Sequence, residues 1–161
     1  MASGLYVIVL LCLTSGLWIE ANVVKYDDKD CCPVGWSYFK GRCYKFNIVE
    51  KDWADAERTC TSYGGNLASI RSIAERNFIR ELIRNKAKVE KTTWIGGYDK
   101  VKENVWLWSD GSHFDFEGWG KGEPNNHSGG EGCMEINWDG KNVVNDIKCH
   151  VKRSFICAME K

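Results

Sequence analysis

The chain has no apolar run long enough to cross a bilayer. Its longest, Leu5 to Leu13, falls well short of the ~20 apolar residues that a spanning helix needs. It has no excess of either charge, because Lys plus Arg and Asp plus Glu both number 22. No basic cluster stands apart from acidic neighbours, so nothing would draw the chain to nucleic acid or to an anionic membrane. It has no C-x-x-C pair, which removes the usual zinc and dithiol-redox signatures. It has no phosphate-cradling glycine loop. Neither a serine nor a free cysteine stands in a recognisable catalytic arrangement with His113, His127 or His150. His113 and Asp115 lie close in sequence but read as surface-loop residues. An enzyme is therefore not expected. Proline is scarce, with two in 161 residues: Pro33, and Pro124 between Glu123 and Asn125.

What the chain does have begins at its N-terminus. The run Leu5–Leu13 fits the core of a signal peptide, with the small residue Ala21 at a cleavage point after Ile19-Glu20. Residues 1–21 are expected to be removed and the protein secreted. The first residues carry no Lys or Arg, and a retained signal anchor is the alternative. Residues 22–31 read as a polar, flexible lead-in. One domain is expected from 32 to 161, a length that suits a single core. Of eight cysteines, Cys12 would leave with the signal. The others are Cys31, Cys32, Cys43, Cys60, Cys133, Cys149 and Cys157. An oxidising route makes them disulfides. Their number is odd, which leaves one thiol for an intermolecular bridge or for a free state. Sequence alone does not fix the pairing.

The apolar pattern changes along the chain. Trp36 to Phe46 is aromatic-rich around Lys40-Gly41-Arg42 and predicts two strands and a turn. Asp52 is a good N-cap for a helix carrying Trp53, Ala56 and Cys60, and Gly64-Gly65 would stop it. Ser72 with Glu75 reads as a capping box for a second helix with Phe78, Ile79, Leu82 and Ile83 on its apolar face. After Thr93 come short strand-like pieces at Trp94-Ile95, Val105–Trp108, Met134–Trp138, Val143-Val144 and Ser154–Ala158. A long loop rich in Gly, Asn and charge runs from His113 to Gly132. Helices first and strands afterwards predict an α+β domain, and loops this long are usually functional or disordered. The eight tryptophans are read mainly as core anchors.

The chemistry concentrates in Glu123-Pro124-Asn125, Glu131 and Asn145-Asp146. All five polar members offer oxygen, which suits calcium with its six to eight oxygen ligands rather than a softer metal. A cis peptide at Pro124 could point both flanking side chains one way. Brought together from two loops, they would make a calcium cage with open positions. By spacing alone they could equally be ordinary polar loop residues. Glu123 and Glu131 could also imitate a hydrolase carboxylate pair, but calcium ligation explains them more economically.

From Cys32 to Cys157 the chain resembles the C-type lectin domain family. The pieces that carry the resemblance are Cys32-Pro33 with Gly35-Trp36, Cys43-Tyr44, Trp53 to Cys60, and Asn66-Leu67-Ala68-Ser69-Ile70. They continue with Trp94-Ile95-Gly96-Gly97, Gly122-Glu123-Pro124-Asn125-Asn126-His127, Glu131, Cys133, Asn145-Asp146, Cys149 and Cys157. Each is weak alone, and their order and spacing together are specific. Within the family the chain is similar to secreted fish lectins and the related antifreeze proteins. The resemblance implies a single domain of two helices, short antiparallel strands and long calcium-binding loops. It implies three disulfides, Cys32–Cys43, Cys60–Cys157 and Cys133–Cys149, leaving Cys31 to join two chains into a homodimer or to remain a free or capped thiol.

The resemblance also implies a ligand set. Glu123, Asn125, Glu131, Asn145 and Asp146 would hold Ca2+. Two vicinal sugar hydroxyls would complete the coordination and hydrogen-bond to Glu123, Asn125, Glu131 and Asn145. Glu-Pro-Asn goes with mannose-type sugars in the family and the reversed Gln-Pro-Asp with galactose. No tryptophan follows Asn125 to stack on galactose, and His127 is read as exposed. A second family calcium site is only partly kept: Asp99 and Glu103 match, but Asn126 and Gly132 stand where carboxylates are usual. Val144 replaces a tryptophan that often precedes Asn-Asp. Asn126-His127-Ser128 is a glycosylation sequon inside the sugar loop; a glycan there could block the site, or the folded loop could exclude one. The expected function is a secreted, calcium-dependent lectin for microbial or mucosal glycans in innate defence. Galactose or lactose binding, ice binding and sugar-free protein binding are the alternatives.

Overall fold

The computed structural model describes residues 32–161. The expected signal peptide, the lead-in, Cys12 and Cys31 all lie outside the described residues. The chain runs β1 (Ser37–Phe39), β2 (Arg42–Lys51), α1 (Trp53–Ser62), β3 (Asn66–Leu67), α2 (Ile73–Ala87) and β4 (Thr93–Tyr98). It continues through β5 (Leu107–Trp108), β6 (Cys133–Ile136), a 3-10 turn (Trp138–Gly140), β7 (Val144–Ile147) and β8 (Arg153–Glu160). Both helices begin where the capping residues place them. Asp52 Oδ1 accepts the N–H of Asp55 at 2.9 Å, and Ser72 Oγ accepts that of Glu75 at 3.1 Å. Gly64, at φ 84°, takes the left-handed turn that ends α1. A Cβ on Gly65 would lie 2.3 Å from the carbonyl oxygen of Ala158, so the chain passes β8 there only without a side chain.

The capping box is only half formed. Glu75 does not reach back to Ser72. Its carboxylate is buried, accepts the Arg71 N–H at 2.5 Å and Arg42 Nη1 at 2.7 Å, and meets the Tyr44 hydroxyl. Arg42 in turn donates to Ser69 Oγ at 3.0 Å, and Ser69 donates to Asp110 at 2.5 Å. This network ties β2, the entry to α2 and the turn after β5 together. Its charges are paired, as burial demands, although Arg42 Nε finds no hydrogen-bond partner.

The sheet order is β1-β2-β8-β4-β6-β7, with β3 added to β8 and β5 to β4. Not every pair is antiparallel, as expected from sequence: β4 and β8 run parallel, Thr93 facing Ser154 and Trp94 facing Phe155. Parallel neighbours need a crossover rather than a hairpin, and the long excursion through β5 to β7 supplies it. β2 also continues beyond the expected hairpin, to Lys51, with an irregularity in its pairing to β8 between Asn47 and Lys51.

Two apolar clusters form the core. One joins Tyr44, Ile79, Ile83, Ile95, Met134, Ile136, Val144 and Ile156. The other gathers Ala56, Leu67, Trp94 and Phe155 around Cys60 and Cys157. The three disulfides are those the resemblance implied: Cys32–Cys43, Cys60–Cys157 and Cys133–Cys149. Cys60–Cys157 spans 97 residues of sequence, and closing a loop of that size is worth about 4–5 kcal/mol in the chain-entropy model. Trp94 and Trp108 are buried, and Trp36, Trp53, Trp106 and Trp119 are half-buried against the core. Trp138 alone among the described tryptophans is exposed.

The first half of the long loop is more structured than its polar composition suggested. Phe114, Phe116 and Trp119 pack with Trp106 and Trp108, at centroid distances of 4.8 Å for Trp108–Phe114 and 4.7 Å for Trp106–Trp119. The alternation of Phe114 and Phe116 with polar residues was the available signal. This aromatic raft brings the chain to Gly120, whose N–H donates to the Val144 carbonyl at 2.8 Å. The second half of the loop thereby arrives beside β7.

Candidate functional site

The site lies where residues 123–131 meet β7. Asn145 and Asp146 are not loop residues, as expected from sequence, but members of β7, where they face Glu135 and Met134 of β6. Strand pairing fixes their backbone, so one side of the site stands on rigid structure. Both residues are buried.

Asp146 reaches from the strand to the loop. Its Oδ1 accepts the N–H of Asn125 at 3.0 Å and its Oδ2 the N–H of Asn126 at 2.9 Å. The Glu123–Pro124 peptide between loop and site is cis. The next turn is closed by side chains. The N–H of His127 donates to Asn125 Oδ1 at 2.7 Å and to Glu131 Oε2 at 2.8 Å. The N–H of Glu131 donates to Asn126 Oδ1 at 2.9 Å. His127 itself is exposed, and it enters the site only through its backbone.

Asn145 is oriented from behind. Its Nδ2 donates to Glu135 Oε1 at 3.1 Å, and Glu135 Oε2 accepts Arg153 Nε at 2.7 Å. With its nitrogen so engaged, Asn145 keeps its Oδ1 as an acceptor. Glu135 is fully buried and was missed from the sequence. The signal was an acidic residue in an otherwise apolar strand, Cys133–Ile136.

The electrostatics of the site are strained. Burial, then the Asp146 carboxyl as hydrogen-bond partner and as charge, then the Glu131 charge, push the Glu123 carboxyl above its ordinary range. Glu123 Oε2 is buried and has no hydrogen-bond partner. A carboxyl with one unpartnered oxygen and two carboxylates for neighbours is a group that a cation would relieve. Glu123, Asn125, Glu131, Asn145 and Asp146 thus fit a hard, oxygen-seeking cation by donor type and by charge. They are not drawn into a closed cluster: among the described residues no three His, Cys, Asp or Glu side chains lie close enough together to hold a metal ion. Glu131 turns instead to the His127 N–H.

The residues expected to keep part of a second site are engaged internally. Asn104 N–H donates to Asp99 Oδ2 at 2.9 Å, and Asn126 Nδ2 donates to Glu103 at 2.8 Å. Val144 is fully buried and bridges Trp119, so its exchange for a larger residue concerns packing.

The family model described as "Lectin C-type domain" matches residues 49–159. The chain is 46% identical over 158 residues to the galactose-specific lectin nattectin of Thalassophryne nattereri, covering 98% of each. It is 45% identical over 130 residues to ladderlectin of Oncorhynchus mykiss, covering 81% of this chain and 68% of that one. Among solved structures, herring type II antifreeze protein superposes with a TM-score of 0.75 at 35% identity, covering 81% of this chain and 99% of that one. With the family model matching residues 49–159 and a relative 46% identical over 98% of both chains, the chain belongs to the C-type lectin domain family.

Proposed function

We propose that the protein is a secreted binding protein that holds a sugar through one calcium ion at Glu123, Asn125, Glu131, Asn145 and Asp146. The observation that carries this reading is a Glu123 carboxyl crowded by the Asp146 and Glu131 charges, with its Oε2 left without a hydrogen-bond partner, in an oxygen-only donor set. Bound there, calcium would supply positive charge and open coordination positions for two neighbouring hydroxyls. The residues of the chain would do the rest. Free carboxylate lone pairs of Glu123 and Glu131 would accept from the hydroxyls, and the Asn125 amide would donate to them. Asp146, with both oxygens given to loop N–H groups, would act chiefly as the fastener between loop and strand. Binding and release require no covalent step.

The Glu-Pro-Asn order supports mannose-type sugars, whose vicinal hydroxyls are equatorial. A second reading is supported by the name of one relative: nattectin is described as galactose-specific. A single shallow site binds a monosaccharide weakly, so useful strength would need several sites acting together, which pairing of chains through Cys31 would provide. Defence against microbes through surface glycans is the role consistent with such a module. Ice binding, suggested by the antifreeze neighbour, uses a surface rather than a sugar-completed cage.

Calorimetric titration tests the proposal. Calcium is added to the metal-free protein, then methyl mannoside or methyl galactoside to the calcium-loaded form. Heat from mannoside only after calcium supports the mannose reading, and heat from galactoside only supports the second. Sugar binding without calcium, or none with it, contradicts the proposal.

A further inference from the structure

The segment Asn126–Gly132 is met by a cation from the chain itself. Lys100, just after β4, donates from its ammonium to the carbonyl of Gly130 at 2.6 Å. Hydrogen bonds of a charged donor are short and roughly twice as strong as neutral ones. Exposed lysines ordinarily keep their ammonium in water. Among the described residues Lys100 meets no carboxylate at ion-pair distance, so its charge is directed to the loop rather than neutralised. Its stem helps to line a hollow with Trp53, Tyr98 and the Cys133–Cys149 disulfide.

Gly132 makes this path possible. A Cβ at that position would stand 2.9 Å from both Cδ and Cε of Lys100 and 2.7 Å from Asp99 Oδ1. Those distances are shorter than carbon or oxygen neighbours tolerate, and any side chain there would displace the lysine stem. Gly130, at φ 89°, is the residue whose carbonyl is captured. On the other side of the turn Asn126 bridges Glu103 and the Glu131 N–H at 2.8 Å and 2.9 Å. Asp99 and Glu103 accept from the Asn104 N–H and the Asn126 amide, and the ammonium that reaches the Gly130 carbonyl is that of Lys100.

We propose that Lys100 is a positioning residue for the loop that carries Asn125 and Glu131: an internal cation that orders Asn126–Gly132 without a second metal ion. The effect on calcium rests on the function proposed above, whereas the tether itself does not. A loop already ordered before calcium arrives loses less entropy on binding it.

Lys100→Met keeps the stem and removes the charge, and Lys100→Arg restores a cationic donor. Amide hydrogen exchange of residues 129–132 is measured by NMR in EDTA. About tenfold faster exchange is expected in Lys100→Met, with near wild-type rates in Lys100→Arg and an unchanged thermal midpoint for the domain. Calcium titration should give one ion per chain in the wild type and about tenfold weaker affinity in Lys100→Met. Unchanged exchange in Lys100→Met would overturn the tether, as would two calcium ions per wild-type chain. If the wild type bound no calcium while the exchange difference was present, the proposed sugar site would fail and the tether would stand.

Discussion

Asp146 and Asn125 join the two halves of the site: the strand carboxylate accepts the loop N–H at 3.0 Å. The second Asp146 oxygen repeats the contact one residue on, with Asn126 at 2.9 Å. A strand residue thus positions the loop. Asp146→Asn keeps one acceptor and exchanges the other for a donor that would face an N–H group. A hydrogen bond to a charged group contributes about 1.5–3 kcal/mol. Calcium affinity in Asp146→Asn should fall at least tenfold by that reckoning, measured by titration calorimetry. Affinity equal to wild type would remove Asp146 from the ligand set.

The sequon at Asn126 yields a second expectation. Both ends of the Asn126 side chain are engaged, by Glu103 and by the Glu131 N–H. A glycan on Nδ2 would place its bulk between Asn126 and Glu103. The fraction of secreted protein that a sugar column retains should therefore carry unmodified Asn126, and any glycosylated chain should flow through. Peptide mass spectrometry of the two fractions decides this, and a glycan on Asn126 in the retained fraction would contradict it.

Acid stability should depend on Asp110. Burial alone would raise its carboxyl, but hydrogen bonds from Ser112, Ser69 and Arg71 outweigh it, and the net shift is downward. A carboxyl depressed in the folded state contributes stability that is complete above its unfolded value. That contribution is lost as pH falls through the lower, folded value. The loss should therefore begin below about pH 4. Asp110→Asn should be less stable at neutral pH and show a shallower decline in urea midpoint on acidification. A parallel decline in both proteins would show that Asp110 does not carry this linkage.

Cys31 lies outside the described residues, and the three disulfides account for every cysteine after it. If it joins two chains, the secreted protein should migrate as a dimer on non-reducing gels and as a monomer after reduction. Cys31→Ser should be monomeric under both conditions. A wild-type monomer without reductant would leave the thiol free or capped.

Much of this molecule is legible in its sequence because local chemistry fixes it. Asp52 and Ser72 cap helices by short-range hydrogen bonds, and Gly64 ends one by its left-handed backbone. The site residues carry a recognisable order, Glu123-Pro124-Asn125 followed by Asn145-Asp146. What could not be read depends on long-range partners. The parallel pairing of β4 with β8 leaves no mark in either strand's own pattern. Glu75 looks like a capping residue until Arg42 and Tyr44, 33 and 31 residues away, are brought against it. Glu135 has no meaning without Asn145 in front of it and Arg153 behind. Lys100 and Gly132 become a pair only when the loop folds back over β4.

In the proposed function one calcium ion at Glu123, Asn125, Glu131, Asn145 and Asp146 mediates sugar binding. The most direct measurement is passage of the purified mature protein over mannose-agarose and lactose-agarose in calcium, followed by EDTA. Retention on mannose-agarose, release by EDTA, and no retention of Glu123→Ala are expected. Retention on lactose-agarose alone would keep the calcium site and contradict the mannose assignment. Flow-through on both columns, or retention that EDTA does not reverse, would contradict the claim itself.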